Sequence, residues 1–304
     1  MRPRLHLARL AALAAAALSL LLAGCGQTRP AAPVGDGPPR LLVLSSTIGY
    51  IEPCGCTIDL TLGGIDRIMT LVAAERALGP TAVLLVGPHF FQKVPDPHRA
   101  AQEEAKARLI ARSLERIGVD VVVPTATDLA GGEPLYRALR QTFTAPDVTA
   151  NVPGGQGRVI AVGAVQVGVF GLAAPETTPP GGAAIDPREV AAAEATRLRA
   201  AGAHVVVALA ALPRREVRRM ARKIEGVDLW VLGDHPEELT LASPLDHGYL
   251  IEAGDRGRNL GRVVLHEAAQ PGPLADPVGD ADRAKKAIEL QIKMKSDLFA
   301  RTGD

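Results

Sequence analysis

A chain of 304 residues with 34 Lys and Arg against 33 Asp and Glu carries a formal charge of +1. That near-balance does not point to nucleic acid, which usually demands a basic face. Hydrophobic residues make up 47% of the chain and aromatics 3%, so a core is affordable, and Val, Leu, Ile and Ala must fill it. The length allows one large domain or two small ones.

The first elements are not part of a fold. Arg2, Arg4 and Arg9 make a positive start, an apolar run over 10–22 is broken only by Ser19, and small residues lead into Cys25. Positive end, apolar middle and small-residue cleavage region are the layout of a secretory signal peptide, and the run is shorter than a transmembrane helix needs. Leu22-Ala23-Gly24-Cys25 resembles the lipobox of bacterial lipoproteins, which implies cleavage after residue 24 and lipid on the Cys25 thiol. Acyl chains at the new N-terminus would hold the protein on a membrane outside the cytoplasm. Gly26 after the cysteine implies the outer membrane, facing the periplasm. Removing residues 1–24 takes away three arginines and no acid, so 34 basic residues become 31 against 33 acidic ones, a formal charge of −2.

Residues 25–40, rich in Pro, Gly and Ala, read as a tether. Short apolar runs follow at 41–45, 82–86, 119–123, 158–162, 165–172, 204–209, 227–232, 249–253 and 260–266. Helical patterns lie between them at 64–78, 98–117, 133–143, 186–201 and 214–224. Continuous Val/Leu/Ile runs alternating with helices predict a largely buried sheet in an α/β architecture. The two runs flanking Gly163 read as a hairpin, which makes part of the sheet antiparallel. The domain is expected over 41–267, a linker over 268–280 and a last helix over 281–304, with Ala284, Ile288 and Ile292 on one stripe. Six basic residues between Arg214 and Lys223 read first as a solvated helix face, with anionic lipid or a phosphate ligand as the alternative.

Gly49-Tyr50-Ile51-Glu52-Pro53, followed by Gly63-Gly64-Ile65-Asp66-Arg67 opening a helix, resembles the start of the 5′-nucleotidase branch of the calcineurin-like metallophosphoesterases. That branch runs Asn-Asp-x-His-Gly, Glu-Pro, Gly-Gly-x-x-Arg. The likeness continues in order through the second strand and its turn (82–92), the third (118–129), the strand at 165–172, the motif strands at 201–212 and 226–235, and the closing strand at 254–262. It implies a four-layer α/β/β/α sandwich of two mixed sheets, with Gly63, Gly64 and Arg67 as scaffold positions. It also implies two metal ions that bind phosphate and activate a water, and here the ligand positions fail. The first-strand Asp and His fall on Ser46 and Ile48, and the bridging Asp falls on His89. The Asn and His of Gly-Asn-His-Glu fall on Ala126 and Thr127. The next His falls on Ala211, and the last two fall on Asp234 and Pro236. Only His89 and Asp234 retain donors suited to such ions, so the expectation is a kept fold, a lost catalytic site and no cofactor. No counterpart of the family's nucleoside-clamping domain follows Glu267, so no nucleotide pocket is expected.

Cys54-Gly55-Cys56 is not explained by that chemistry. A tight disulfide or redox pair would suit an oxidising compartment. The alternative is one zinc-like divalent ion held by Cys54, Cys56, His89 and Asp234, a donor set that suits tetrahedral zinc. A third possibility is no special role. The expected function is an envelope lipoprotein that binds rather than hydrolyses. Its expected partners are the membrane, through its lipid, and an envelope protein, with no nucleic acid and the ligand unspecified. The alternatives are a phosphoesterase with relocated metal ligands and a thiol-redox protein.

Overall fold

The computed structural model of the chain describes residues 35–54, 62–175, 177–233 and 242–265, with 274 and 280. In chain order the elements are β1 (Arg40–Ser45), β2 (Pro53–Cys54), β3 (Leu62–Gly63), α1 (Ile65–Leu78), β4 (Thr81–Val86), α2 (Ala100–Ile117), β5 (Val121–Val123) and α3 (Glu133–Thr142). Then come β6 (Arg158–Val162), β7 (Val165–Ala173), α4 (Pro187–Ala200), β8 (Val205–Ala211), α5 (Arg214–Ala221), β9 (Leu229–Leu232), β10 (Ser243–Pro244), β11 (Tyr249–Glu252) and β12 (Gly261–Val264).

Two mixed sheets carry the molecule. One has the order β12-β1-β4-β5, the other β10-β11-β9-β8-β7-β6, and β2 and β3 form a separate ribbon. In the first sheet β1, β4 and β5 are parallel and β12 runs against β1. In the second, β7, β8, β9 and β11 are parallel, with β6 and β10 antiparallel at the edges. The predicted hairpin is β6–β7: Val162 pairs with Val165, and Gly163 at φ 59° takes the first turn position, where a two-residue turn favours glycine.

The strands read as unbroken apolar runs because both faces of each sheet are covered. Along β1, Leu41 and Val43 join Leu84, Val86, Val167, Val207 and Val231 between the sheets. Leu42 and Leu44 face the opposite way and pack with Val72, Ile110 and Leu114 of α1 and α2. On the far side, Phe170, Val206 and Trp230 pack with Leu198 of α4 and Val217 and Met220 of α5. The result is the α/β/β/α sandwich. Each fully buried aliphatic side chain contributes roughly 1.5–3 kcal/mol, and the inter-sheet layer is built almost wholly of Val, Leu and Ile, as the low aromatic content requires.

Helix ends follow local chemistry. Gly118 closes α2 in the left-handed conformation at φ 70°, its N–H on Leu114 and Glu115 carbonyls, the usual use of glycine there. Asp186 caps α4 with Pro187 in its first position. Three elements went unread in the sequence: β2, β3 and β10 are two-residue strands, too short to show alternation. Gly35 and Gly37 donate to the Arg76 and Leu78 carbonyls at the end of α1. Residues 1–34 and 281–304, hence Cys25, most of the tether and the last helix, lie outside the described residues. Among the described residues no helix is long and apolar enough to cross a membrane.

Candidate functional site

The carboxyl ends of β1, β4 and β9 meet at one edge of the sandwich. Ser45 Oγ donates across the sheets to the Leu232 carbonyl at 3.1 Å. A side chain on Gly233 would place its first carbon 2.6 Å from Val86 Cγ2 and 2.8 Å from the Val86 carbonyl carbon, so only glycine fits there.

From β1 the chain makes a tight turn in which the Tyr50 N–H reaches the Thr47 carbonyl at 2.9 Å. Ile48 sits at φ 43° and Gly49 at φ 77°. Positive φ is routine for glycine but strained for a β-branched residue. The turn is tied to the loop after β4: Ile48 N–H donates to Pro88 O at 3.1 Å and Gly49 N–H to His89 O at 3.0 Å. The Thr47 hydroxyl also donates to His89 O, at 2.8 Å.

His89 is 2% exposed, and burial pushes its pKa down to about 3, so the ring is neutral at physiological pH. Its Nδ1 lies 3.4 Å from Thr47 Oγ1. With the Thr47 hydrogen committed to the carbonyl, the tautomer that suits this contact carries its proton on Nδ1. Nε2 is then a bare lone pair, buried and, among the described residues, without a hydrogen-bond partner.

Asp128 holds the neighbouring loops together. Its Oδ1 accepts from His89 N–H at 2.7 Å and Phe90 N–H at 3.0 Å, and its Oδ2 from Thr125 N–H at 3.0 Å. Burial pushes its pKa up to about 6, against those N–H donors, which act to lower it. Asp128 is not among the site positions expected from the sequence. Its signal was present as Thr125-x-x-Asp128, the spacing of a reciprocal helix cap, and the structure forms that cap.

The sequence-matched positions distribute as follows. Ser46 is buried, with its main chain bonded to Val86 and Arg256. Ala126 and Thr127 lie in a short 3-10 turn, Ala126–Leu129, and Ala211 ends β8. Gly63 at φ 81° and Gly64 at φ 95° open α1, with Gly63 against the Arg256 and Gly257 carbonyls. Arg67 lies exposed in the helix's first turn. Cys54 pairs in the ribbon with Leu62. Cys25, Cys56 and Asp234 lie outside the described residues, as do His235 and Pro236, so of the four proposed zinc ligands only His89 has a described side chain. Among the described residues no three His, Cys, Asp or Glu side chains converge. Among the described matched positions, one imidazole beside Ser, Thr, Ile and Ala does not fit a two-metal centre, which needs several carboxylate and imidazole donors.

Two sheets with carboxyl ends meeting at one edge, helices outside both, are shared with solved structures. The 5′-nucleotidase precursor of Thermus thermophilus superposes with a TM-score of 0.66 at 20% identity, over 78% of this chain and 53% of that one. The calcineurin-like phosphoesterase YfkN of Bacillus subtilis gives 0.56 at 15%, over 74% and 83%. The fold is that of the calcineurin-like phosphoesterases. The sulfate thiohydrolase SoxB of Thermus thermophilus in complex with glycerol gives 0.66 at 19%, over 87% and 62%. The present chain thus spans between half and two thirds of the length of the two Thermus proteins. No protein-family model matches the sequence, and no curated protein does.

Proposed function

We propose that this phosphoesterase-fold chain binds a partner or ligand in the cell envelope and does not hydrolyse phosphoesters through a two-metal centre. The observation that carries the reading is His89. A buried neutral imidazole stands at the position matched to the bridging carboxylate, with Ile48, Ala126, Thr127 and Ala211 at other ligand positions. A bridge between two cations requires a negative, two-toothed donor, and one neutral ring nitrogen cannot supply it. Purified protein incubated with Mg²⁺, Mn²⁺, Zn²⁺ or Co²⁺ is expected to release no phosphate from nucleotides or p-nitrophenyl phosphate above the protein-free rate. Metal-stimulated turnover that disappears in His89→Ala would overturn the reading.

The proposal includes the address. Lipid on Cys25 holds the protein on a membrane outside the cytoplasm, the outer membrane facing the periplasm, where an envelope protein is its expected partner. Cys25→Ser is expected to move the protein from the membrane to the soluble fraction; retention of the variant on membranes would remove this part of the proposal.

One observation favours a second reading, the unpartnered lone pair on His89 Nε2. A buried polar atom without a partner calls for an explanation, and a single zinc-like ion held by His89 with Cys54, Cys56 and Asp234 would supply one. That reading predicts stoichiometric metal in protein purified without chelator and none in Cys54→Ser. Metal-free wild-type protein ends it.

A further inference from the structure

Beyond the carboxyl ends of β7 and β8 the chain turns outward to α4 and α5. Between these turns lies a cleft of about 170 Å³, with Pro175, Leu212 and Pro213 on its apolar side. Its polar side is Asp186 and Arg188 from the start of α4 and Arg215, Glu216 and Arg219 from α5. Among the described residues that line it, three guanidinium groups face two carboxylates.

The two carboxylates are already engaged. Asp186 Oδ1 accepts from the Arg188 N–H at 2.9 Å and from its Nε at 3.0 Å, and Oδ2 accepts from Nη2 at 2.8 Å. Those bonds hold the Asp186 carboxyl below its ordinary range. Glu216 accepts from Arg219 and lies 3.7 Å from Arg188 Nε. Among the described residues the Arg215 side chain makes no hydrogen bond and no ion pair. The carboxylates therefore orient two guanidinium groups without using up their donors, five on each, and the third is uncommitted. Planar forks of N–H donors match the oxygens of a phosphoryl or carboxylate group and repel cations. The volume is ample for such a group.

We propose that this cleft binds a small oxyanion, a phosphoryl or carboxylate group, held by Arg215 and Arg219 with Arg188. The proposal rests on the binding reading above and names the chemistry of what is bound. Inorganic phosphate, sulfate and acetate titrated calorimetrically into the full-length protein are the probes. Saturable one-to-one binding is expected, weakened by added NaCl and at least tenfold weaker in Arg215→Ala and in Arg219→Ala. Arg222→Ala, at the far end of α5, should leave it unchanged. Tighter phosphate assigns a phosphoryl group, and acetate of equal or greater affinity assigns a carboxylate. Failure of all three anions to saturate, or affinity unaffected by both cleft variants in protein that melts like wild type, overturns the proposal. Anion binding in a protein that also hydrolyses phosphoesters through His89 would defeat the non-catalytic reading and leave this one standing. Absence of both activities would do the reverse.

Discussion

Asp128 and His89 are bonded through one peptide N–H yet respond to pH in opposite senses. The folded Asp128 holds its proton up to about pH 6, while an unfolded Asp loses it near 3.8. Between those values the folded state binds more protons, and this group's contribution to stability falls as pH rises. The folded His89 stays neutral down to about pH 3, while an unfolded His protonates near 6.5, so its contribution falls as pH drops through that window. Each slope is about 1.4 kcal/mol per pH unit, and between pH 4 and 6 the two nearly cancel. Asp128→Asn is therefore expected to lose stability relative to wild type as pH drops from 6 to 4, by roughly 1 kcal/mol per unit. His89→Gln is expected to gain by a similar amount. Urea denaturation at several pH values measures both, and profiles parallel to wild type would sink the assignment. Asp120, Asp147 and Asp228 are also raised by burial, but they are common to all three proteins and drop out of the differences.

At the scale of elements, two glycines mark where the sheets touch, and they differ in what they touch. A first side-chain carbon on Gly171 would strike Val123 Cγ2 and Cγ1, with main chain no closer than 3.2 Å. On Gly233 it would also strike the main chain of Val86 and Gly87 at 2.8 and 2.9 Å. Either alanine substitution is expected to cost about 1–3 kcal/mol by overpacking. Val123→Ala should recover much of the loss in Gly171→Ala, whereas Val86→Ala should recover little in Gly233→Ala. Thermal melts of the four single and two double variants decide it, and equal rescue at both sites would contradict the geometry. Helix α5 offers a second test. Its basic residues read in the sequence as one solvated face, but Arg214 turns in to Glu252, whose side chain is 1% exposed, and Arg218 reaches Ser243. Arg214→Ala strands a buried carboxylate and should cost about 3–5 kcal/mol, a loss that Glu252→Gln in the same chain should reduce. The strands and helices were legible because both sheet faces are buried, so runs such as Leu41 to Leu44 have no polar interruption. Glycine contacts, the turn of Arg214 and the N–H clamp of Asp128 were not, because each depends on which strands become neighbours. At the site itself, His89 stands in a motif legible in the sequence, whereas its burial and bare nitrogen depend on the elements that pack around it.

On the whole-molecule scale, the described chain begins by bonding to α1: Gly35 and Gly37 donate to its last carbonyls, and the Leu265 N–H returns to Pro39 at 2.9 Å. Compared with a chain truncated through residue 34, one truncated through residue 39 lacks these bonds and should be less stable by about 1–3 kcal/mol. Equal melting of the two truncations would show that the segment contributes nothing. The order of the first sheet carries a further consequence. β1 lies between β4, which follows it closely, and β12, whose Val263 pairs with Leu41 from more than two hundred residues away. A chain threaded through a membrane from its first residue would deliver β12 more than two hundred residues after β1. Until then one side of β1 has unpaired N–H and C=O groups, an edge on which other strands can add, and the long closure slows completion. Were the chain exported as proposed, the same arrangement would keep the domain from closing before β12 had crossed.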